Sequence, residues 1–402
     1  MQRKLLRLHD QLLRTHLATH RQMALVSGPR QVGKTTTCRA LASPGGYLSW
    51  DDPADRRTVL AGWKAIAEQA AVERLRETPL TLVLDELHKF GRWKAFLKGL
   101  FDGHAEQCRI VVTGSSRLDV YRRGGDSLMG RYLLYRMHPL SVAELARPEP
   151  PEAEVRPPVA LAEPDFAALW NHGGYPEPFL KRDTRFSLRW RELRRHQLLR
   201  EDIRDLTRIR ELDQMEVLER LLAERSAGQI VLAHLANEVK VSVDTVRRWL
   251  GALASLHHGF LVRPWWKNVA KSLRKEPKWF ATDWSGIEDP GARAETFVAC
   301  QLWKAVQGWQ DIGLGVYELR YLRDKEKREV DLLVVRNRRP WFLVEVKHRD
   351  TRIAPTLEHF QRQTRAEHAF QVVLEEDYVD ADCFARRDPC VVPGRTFLSQ
   401  LL

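Results

Sequence analysis

A chain of 402 residues, 44% hydrophobic and 29% charged, has the balance of a globular protein and is too long for one compact core, so roughly two to four domains are expected. No apolar run reaches the length of a membrane span, and the five scattered cysteines show no Cys-x-x-Cys spacing, which sets aside a membrane protein, a zinc ribbon and a disulfide scaffold. Lys and Arg number 65 against 53 Asp and Glu, a net charge of +12 that favours a polyanionic partner, nucleic acid before an acidic membrane.

Residues 1–21 are basic and amphipathic, with Leu5, Leu6, Leu8, Leu12 and Leu13 set among Arg, Lys and His. They lack the uninterrupted apolar core and small-residue cleavage site of a signal peptide, so a cytoplasmic location is the expectation. The apolar run Met23-Ala24-Leu25-Val26 then leads into Gly28-Pro29-Arg30-Gln31-Val32-Gly33-Lys34-Thr35, and a helix-compatible segment starting at Thr36 follows. This is G-x-x-x-x-G-K-[ST] in its strand–loop–helix context, the phosphate-binding P-loop. Two glycines let main-chain N–H groups form a nest at a helix N-terminus, where the dipole favours phosphate. Lys34 is placed to reach the β/γ-phosphates of ATP and Thr35 to ligate Mg²⁺.

Strands are expected at 24–27, 47–50, 80–84, 109–113 and 132–136, and helices after the P-loop, at 63–77 and at 93–103, a parallel α/β pattern. Leu80-Thr81-Leu82-Val83-Leu84-Asp85-Glu86 reads as a buried strand ending in two acids. Asp85 would hold Mg²⁺ and Glu86 would polarise the attacking water; the plainer reading is a strand ending in solvated acids. Ile110-Val111-Val112-Thr113 ends in Gly114-Ser115-Ser116, where the Ser115 hydroxyl is a candidate γ-phosphate sensor or part of an ordinary turn. Arg131 is a candidate arginine finger, in trans on a neighbouring subunit of a homo-oligomer or in cis, against the plainer reading of a solvated surface residue.

The prolines of 147–164 read as an irregular linker. Residues 181–210 carry eleven Lys and Arg against five acids, either a phosphate-binding helix face or one laced by local ion pairs. A helix over 230–239, a turn at Lys240-Val241 and a second helix capped by Ser242 form a helix–turn–helix pattern. Thr245, Arg247 and Arg248 would face a DNA groove while Val246, Trp249 and Leu250 pack inward. The aromatics of 260–266 and the basic residues Lys267, Lys271, Arg274, Lys275 and Lys278 suggest a wing with exposed aromatics for stacking.

In the last region Glu295 lies on a helix, Asp331 opens a strand, and Glu345 and Lys347 share one face of the next strand. Hard oxygen ligands suit Mg²⁺ and a lysine can polarise a water; a surface ion pair on a structural domain is the alternative.

The P-loop, Leu82 to Glu86, Val112-Thr113-Gly114-Ser115-Ser116, Ser127-Leu128-Met129-Gly130-Arg131 and Pro139-Leu140-Ser141 together resemble the AAA-family ATPases that carry a C-terminal DUF4143 domain. Asn171-His172-Gly173-Gly174-Tyr175-Pro176-Glu177-Pro178 resembles that family's Gly-Gly-x-Pro loop. The resemblance implies a RecA-like core with an extra strand between the strands of the P-loop and of Asp85, and a helical lid. Asp331, Glu345-x-Lys347 and helix carboxylate Glu295 are similar to a PD-(D/E)XK nuclease site, with Val330 in place of the proline before Asp331.

The fold expected is thus α/β: a P-loop NTPase (RecA-like/AAA) parallel sheet, a helical and winged-helix middle and a C-terminal restriction-endonuclease-like α/β domain. The segments are a P-loop ATPase core at 1–146, the linker at 147–164, a helical lid at 165–226, a winged helix at 227–285 and a nuclease-like domain at 286–402. The nucleotide contacts would come from Gly28 through Thr35 and from Thr36; Lys34, Glu86, Ser115, Arg131 and Lys347 are the candidate catalytic groups. The metal ligands would be Thr35 and Asp85 at one site and Glu295, Asp331 and Glu345 at the other. The expected function is a Mg²⁺-dependent ATPase that binds DNA and couples nucleotide state to the winged helix and the nuclease-like domain, cutting DNA or acting as a non-cleaving switch on DNA or a protein partner.

Overall fold

The computed structural model describes residues 5–70, 79–114, 128–203, 211–265 and 275–402. They divide into two compact units, with the break between His138 and Pro139.

In the first unit the chain runs α1 (Leu8–Thr19), β1 (Met23–Ser27), α2 (Lys34–Arg39), β2 (Tyr47–Ser49), α3 (Pro53–Ala61), α4 (Trp63–Gln69), β3 (Leu80–Asp85), α5 (Trp93–His104), β4 (Cys108–Gly114) and β5 (Tyr132–Arg136). The strands form one parallel sheet in the order β2-β3-β4-β1-β5. Strand β4 lies between β1 and β3, which is the extra strand that the resemblance implied. Because successive strand residues point to opposite faces, Met23 and Leu25 of β1 enter one core while Ala24 and Val26 enter the other. A sheet buried on both faces accounts for the continuous apolar runs of the sequence. Parallel pairing also brings the C-terminal ends of β1, β3 and β4 to one edge, where an open α/β sheet places its ligand. The two short helices α3 and α4 flank Gly62. Asp52 caps α3 by accepting from the N–H groups of Ala54 and Asp55.

The second unit begins with α6 (Val142–Ala146). Residues 147–162 have no helix or strand. They are nevertheless held: Arg156 is buried, and its guanidinium donates to the Leu401 carbonyl at 3.0 and 3.2 Å. Next come α7 (Glu163–His172), α8 (Pro176–Lys181), α9 (Thr184–Gln197), α10 (Leu212–Glu224), α11 (Leu232–Val239) and α12 (Val243–Ser255). The Gly-Gly loop between α7 and α8 passes against Leu140, whose N–H donates to the Gly174 carbonyl at 2.7 Å; a Cβ on Gly174 would lie 2.8 Å from both the Leu140 oxygen and the Trp284 ring. Glycine is needed there because no side chain fits.

Strands β6 (Gly259–Pro264) and β7 (Lys278–Ala281) form an antiparallel pair. They do not stand apart as a wing, because β6 pairs with β8 (Tyr317–Arg323) at one edge of a seven-stranded sheet. The long helix α13 (Pro290–Asp311) precedes β8, and β9 (Glu329–Arg336), β10 (Arg339–Lys347), α14 (Pro355–Thr364), β11 (His368–Val373), β12 (Cys390–Pro393) and α15 (Gly394–Ser399) follow. The sheet order is β12-β11-β10-β9-β8-β6-β7. No described helix is long and apolar enough to cross a membrane. All five cysteines are unpaired.

Candidate functional site

The loop after β1 turns through Gln31 at φ 61° and Gly33 at φ 105°, the left-handed conformations that fold successive amides into an anion-binding concavity. At Gly28 a Cβ would lie 2.2 Å from the Met137 oxygen, so only glycine lets the loop leave the sheet here. Arg7, buried beside the loop, donates to the carbonyls of Val32 and His138 and braces it from α1. Nothing in the sequence marked Arg7, because its partners are main-chain atoms far along the chain.

Lys34 opens α2 and folds back into the loop, donating from Nζ to the carbonyls of Gly28 at 2.9 Å and Pro29 at 2.7 Å. Burial holds the Lys34 ammonium below the ordinary lysine pKa, against the opposing pull of Glu86 and Asp85. A polyphosphate in the loop would supply the counter-charge that this ammonium lacks. Thr35 and Thr36 are exposed beside it, open to a ligand.

Asp85 ends β3 and is buried. Its carboxylate accepts from Thr35 Oγ1 at 3.0 Å, from Tyr47 Oη at 2.7 Å and from Thr113 Oγ1. Sequence reasoning named Thr35 for this place but missed Tyr47 and Thr113. The parallel register that sets Ser49 opposite Asp85 is what delivers Tyr47 from β2. A hydroxyl and a carboxylate side by side at the mouth of a P-loop are hard oxygen ligands that suit Mg²⁺, so Thr35 and Asp85 fit that ion. Glu86 adopts φ 55°, ψ 26°, and its N–H donates to Thr113 Oγ1 at 3.3 Å. Its carboxylate lies 3.4 Å from Lys89, which also pairs with Asp51 at 2.6 Å.

Arg131 is bidentate to Asp102, at 2.7 and 2.9 Å. Its carbonyl accepts from the N–H of Met23, the first residue of β1. The P-loop leaves the other end of that strand, about 16 Å away at the rise of a β-strand. The cis arginine-finger reading is therefore corrected: Arg131 sits at the wrong end of the sheet. Ser115 lies outside the described residues.

In the second unit Ser242 caps α12 by accepting from the Thr245 N–H at 3.1 Å, and Val246, Trp249 and Leu250 are buried in a core with Leu218, Leu235 and Trp279. Arg247 and Arg248 are exposed, Arg247 pairing with Asp244 one turn earlier, while Thr245 is half-buried. Lys275 is exposed; Lys267, Lys271 and Arg274 lie outside the described residues. Two expectations for this segment fail. Phe260 is buried, stacked on Phe280 and Trp303, and so offers no face to a base. Lys278 is 2% exposed. The basic face of α9 is also engaged locally: Arg195 pairs with Glu216 at 2.7 Å and Glu219 at 2.6 Å, and Arg191 donates to the Ser285 carbonyl at 2.7 Å.

The four C-terminal residues singled out from sequence do come together, on α13, β9 and β10. Asp331 accepts from the Val346 N–H at 2.9 Å, and Lys347 lies 2.8 Å from Glu345. They are joined by a group that sequence reasoning put elsewhere. Lys278 Nζ lies 2.7 Å from Glu295, 2.6 Å from Glu329 and 3.7 Å from Asp331. Burial opposes this ammonium, but Glu295, Asp331 and Glu329 outweigh burial and raise its pKa, so it is charged. Burial and Asp331 lift the Glu345 carboxyl to about 7. Among the described residues no group of three or more His, Cys, Asp or Glu side chains is arranged to hold a metal ion. The expected divalent-metal set Glu295, Asp331 and Glu345 does not fit such an ion here, because an ammonium sits among these acids.

Comparison with known proteins agrees with the first unit. Residues 20–146 match the family model of an AAA domain (AAA_14), residues 163–287 that of a domain of unknown function (DUF8612), and residues 290–384 that of a second domain of unknown function (DUF4143). The chain thus carries an AAA domain at its N-terminus and a C-terminal DUF4143 domain. An uncharacterized protein of Mycobacterium bovis and one of Mycobacterium tuberculosis are each 26% identical over 360 residues, covering 85% of this chain and 74% of theirs. Among solved structures, the Saccharomyces cerevisiae Hsp104–ADP complex aligns at 14% identity and a TM-score of 0.28, over 76% of this chain and 43% of that chain. A DNA polymerase III gamma subunit-related protein of Thermotoga maritima aligns at 10% identity and a TM-score of 0.25, over 75% and 88%.

Proposed function

We propose that the chain is a Mg²⁺-dependent ATPase whose nucleotide state repositions a DNA-binding helix–turn–helix and the C-terminal domain. The observation that carries this reading is the convergence of Thr35 Oγ1 on the Asp85 carboxylate at 3.0 Å, beside a P-loop whose buried lysine is held by main-chain carbonyls. Thr35 and Asp85 would hold the ion, Lys34 would bind the β/γ-phosphates and Glu86 would orient the attacking water. Mg²⁺, when bound, neutralises charge on the transferring phosphoryl group. Purified protein should hydrolyse ATP, and Lys34→Ala should abolish turnover. A wild-type chain that neither binds nor turns over any nucleoside triphosphate sinks the proposal.

DNA contact is proposed for the exposed Arg247 and Arg248 of α12, for the half-buried Thr245 of the same helix and for the exposed Lys275. For the C-terminal domain, the ammonium 2.7 Å from Glu295 favours the non-cleaving reading, a nucleotide switch with a structural last domain. Salt-sensitive DNA binding without nicking under Mg²⁺ or Mn²⁺ supports it; nicking that disappears in Asp331→Ala restores the nuclease reading.

A further inference from the structure

The acid cluster of the second unit is built around a cation that the chain itself supplies. Lys278 reaches it from β7, with its main chain fixed opposite Val262 of β6 and bridged to Gln229. Its side chain passes under the Tyr321 ring, 5.5 Å from the centroid, and that ring is tied down by a 2.6 Å hydrogen bond from Tyr321 Oη to the Glu276 carbonyl. The side chain is 3% exposed, so the ammonium is largely screened from solvent.

Around it, most of the carboxylate oxygens have a partner. Glu295 Oε1 and Glu329 Oε1 face Lys278, Glu329 Oε2 faces Arg323, Asp331 Oδ2 accepts from the Val346 N–H, and Glu345 Oε1 faces Lys347. Glu345 Oε2 is an exception, buried and without a hydrogen-bond partner. Burying several carboxylates demands a compensating cation. In this chain that cation is covalently attached.

We infer that the ammonium of Lys278 is the resident cation of this cluster, that it excludes a divalent ion from the space between Glu295 and Asp331, and that removing it converts the cluster into a divalent-cation site. A dication seated against Glu295 and Asp331 would lie within a few ångströms of the ammonium, and two cations at that range in a buried site repel strongly. With the ammonium gone, Glu295 Oε1 and Asp331 Oδ1 lose their cation, and Glu345 Oε2 can ligate without giving up any bond that it makes now. Oxygen ligands of this kind take Mg²⁺ or Mn²⁺.

The test uses the full chain without nucleotide and reads free Mn²⁺ by electron paramagnetic resonance. Wild type and Asp331→Asn should bind Mn²⁺ identically. Lys278→Met should gain one equivalent, and the double variant Lys278→Met with Asp331→Asn should lose it again. The inference is overturned if wild type binds an equivalent that Asp331→Asn lacks, or if a folded Lys278→Met binds no more than wild type. Should Lys278→Met not fold, Lys278→Gln, which keeps a polar head among the carboxylates, replaces it under the same criteria. ATP turnover enters none of these readouts, so failure of the ATPase reading and failure of this one are separately visible.

Discussion

Tyr47 Oη donates a 2.7 Å hydrogen bond to Asp85, the carboxylate that also accepts from Thr35. Burial first, then the bond to Asp85 itself, raises the Tyr47 pKa, so the hydroxyl stays protonated and remains a donor. Its ring lies under Arg39, 4.8 Å from the guanidinium carbon, which holds it in place. Tyr47 is therefore a positioning residue for the proposed metal ligand.

Tyr47→Phe should keep the fold and lose about tenfold or more in kcat/KM for ATP, the scale of one hydrogen bond to a charged acceptor at roughly 1.5 kcal/mol. The loss should appear as a higher Mg²⁺ requirement, because the released carboxylate must be reoriented when the ion binds. Steady-state turnover across a Mg²⁺ titration measures it. An unchanged Mg²⁺ dependence would leave Tyr47 with a packing role alone.

The first unit was largely legible because its strands are local signals. Each is an apolar run bounded by polar residues, and β1, β3, β4 and β5 fall where those runs do. The residues that brace the site were not legible. Tyr47 reaches Asp85 through the register between two parallel strands, and Arg7 reaches the P-loop from a helix at the start of the chain. Neither relationship leaves a spacing in the sequence. Lys278 is the sharper case. Beside Lys275 and Glu276 it reads as one more solvated cation, and only the pairing of β6 with β8 buries it against acids on α13 and β9. Arg131 read as a candidate arginine finger, but which end of the sheet it occupies follows from strand direction, which composition does not encode.

Glu86 pairs with Lys89 at 3.4 Å, a contact that would restrain a carboxylate meant to orient water. Both side chains are partly exposed, so their attraction is worth only about 0.5 kcal/mol and is screened by salt. Lys89→Ala should raise ATP turnover about twofold at low ionic strength, with the difference vanishing at high salt. Glu86→Gln should lower turnover by about a hundredfold or more while nucleotide binding persists. A loss of activity in Lys89→Ala would mean that the lysine assists Glu86 instead of restraining it.

His16 makes the stability of the first unit pH-dependent. Its Nε2 lies 2.8 Å from the Gln22 carbonyl, which can only accept, so Nε2 carries the proton and Nδ1 accepts from Tyr135 Oη at 2.8 Å. Burial, reinforced by His20 and Arg109, lowers the His16 pKa from 6.5 to about 4. Below pH 6.5 the unfolded chain takes up a proton that the folded chain refuses until about pH 4, so stability falls as pH drops through that window. The full effect is about 3 kcal/mol. His16→Gln should flatten the decline in unfolding temperature between pH 6.5 and pH 4; an unaltered slope would place the titration elsewhere.

The DNA proposal rests on α12, whose buried face is fixed by Val246, Trp249 and Leu250 while Arg247 and Arg248 point to solvent. If these arginines neutralise phosphates, each releases condensed counterions, so Arg247→Ala and Arg248→Ala should each weaken binding and each reduce the magnitude of the slope of log K against log salt by about 1. Arg247 already pairs with Asp244, and DNA must displace that carboxylate; Asp244→Asn should therefore tighten binding where Arg247→Ala weakens it. Fluorescence anisotropy on duplex DNA across a salt series reads all three. A salt slope untouched by both arginine variants would remove α12 from the interface and make a protein partner the better reading of this helix.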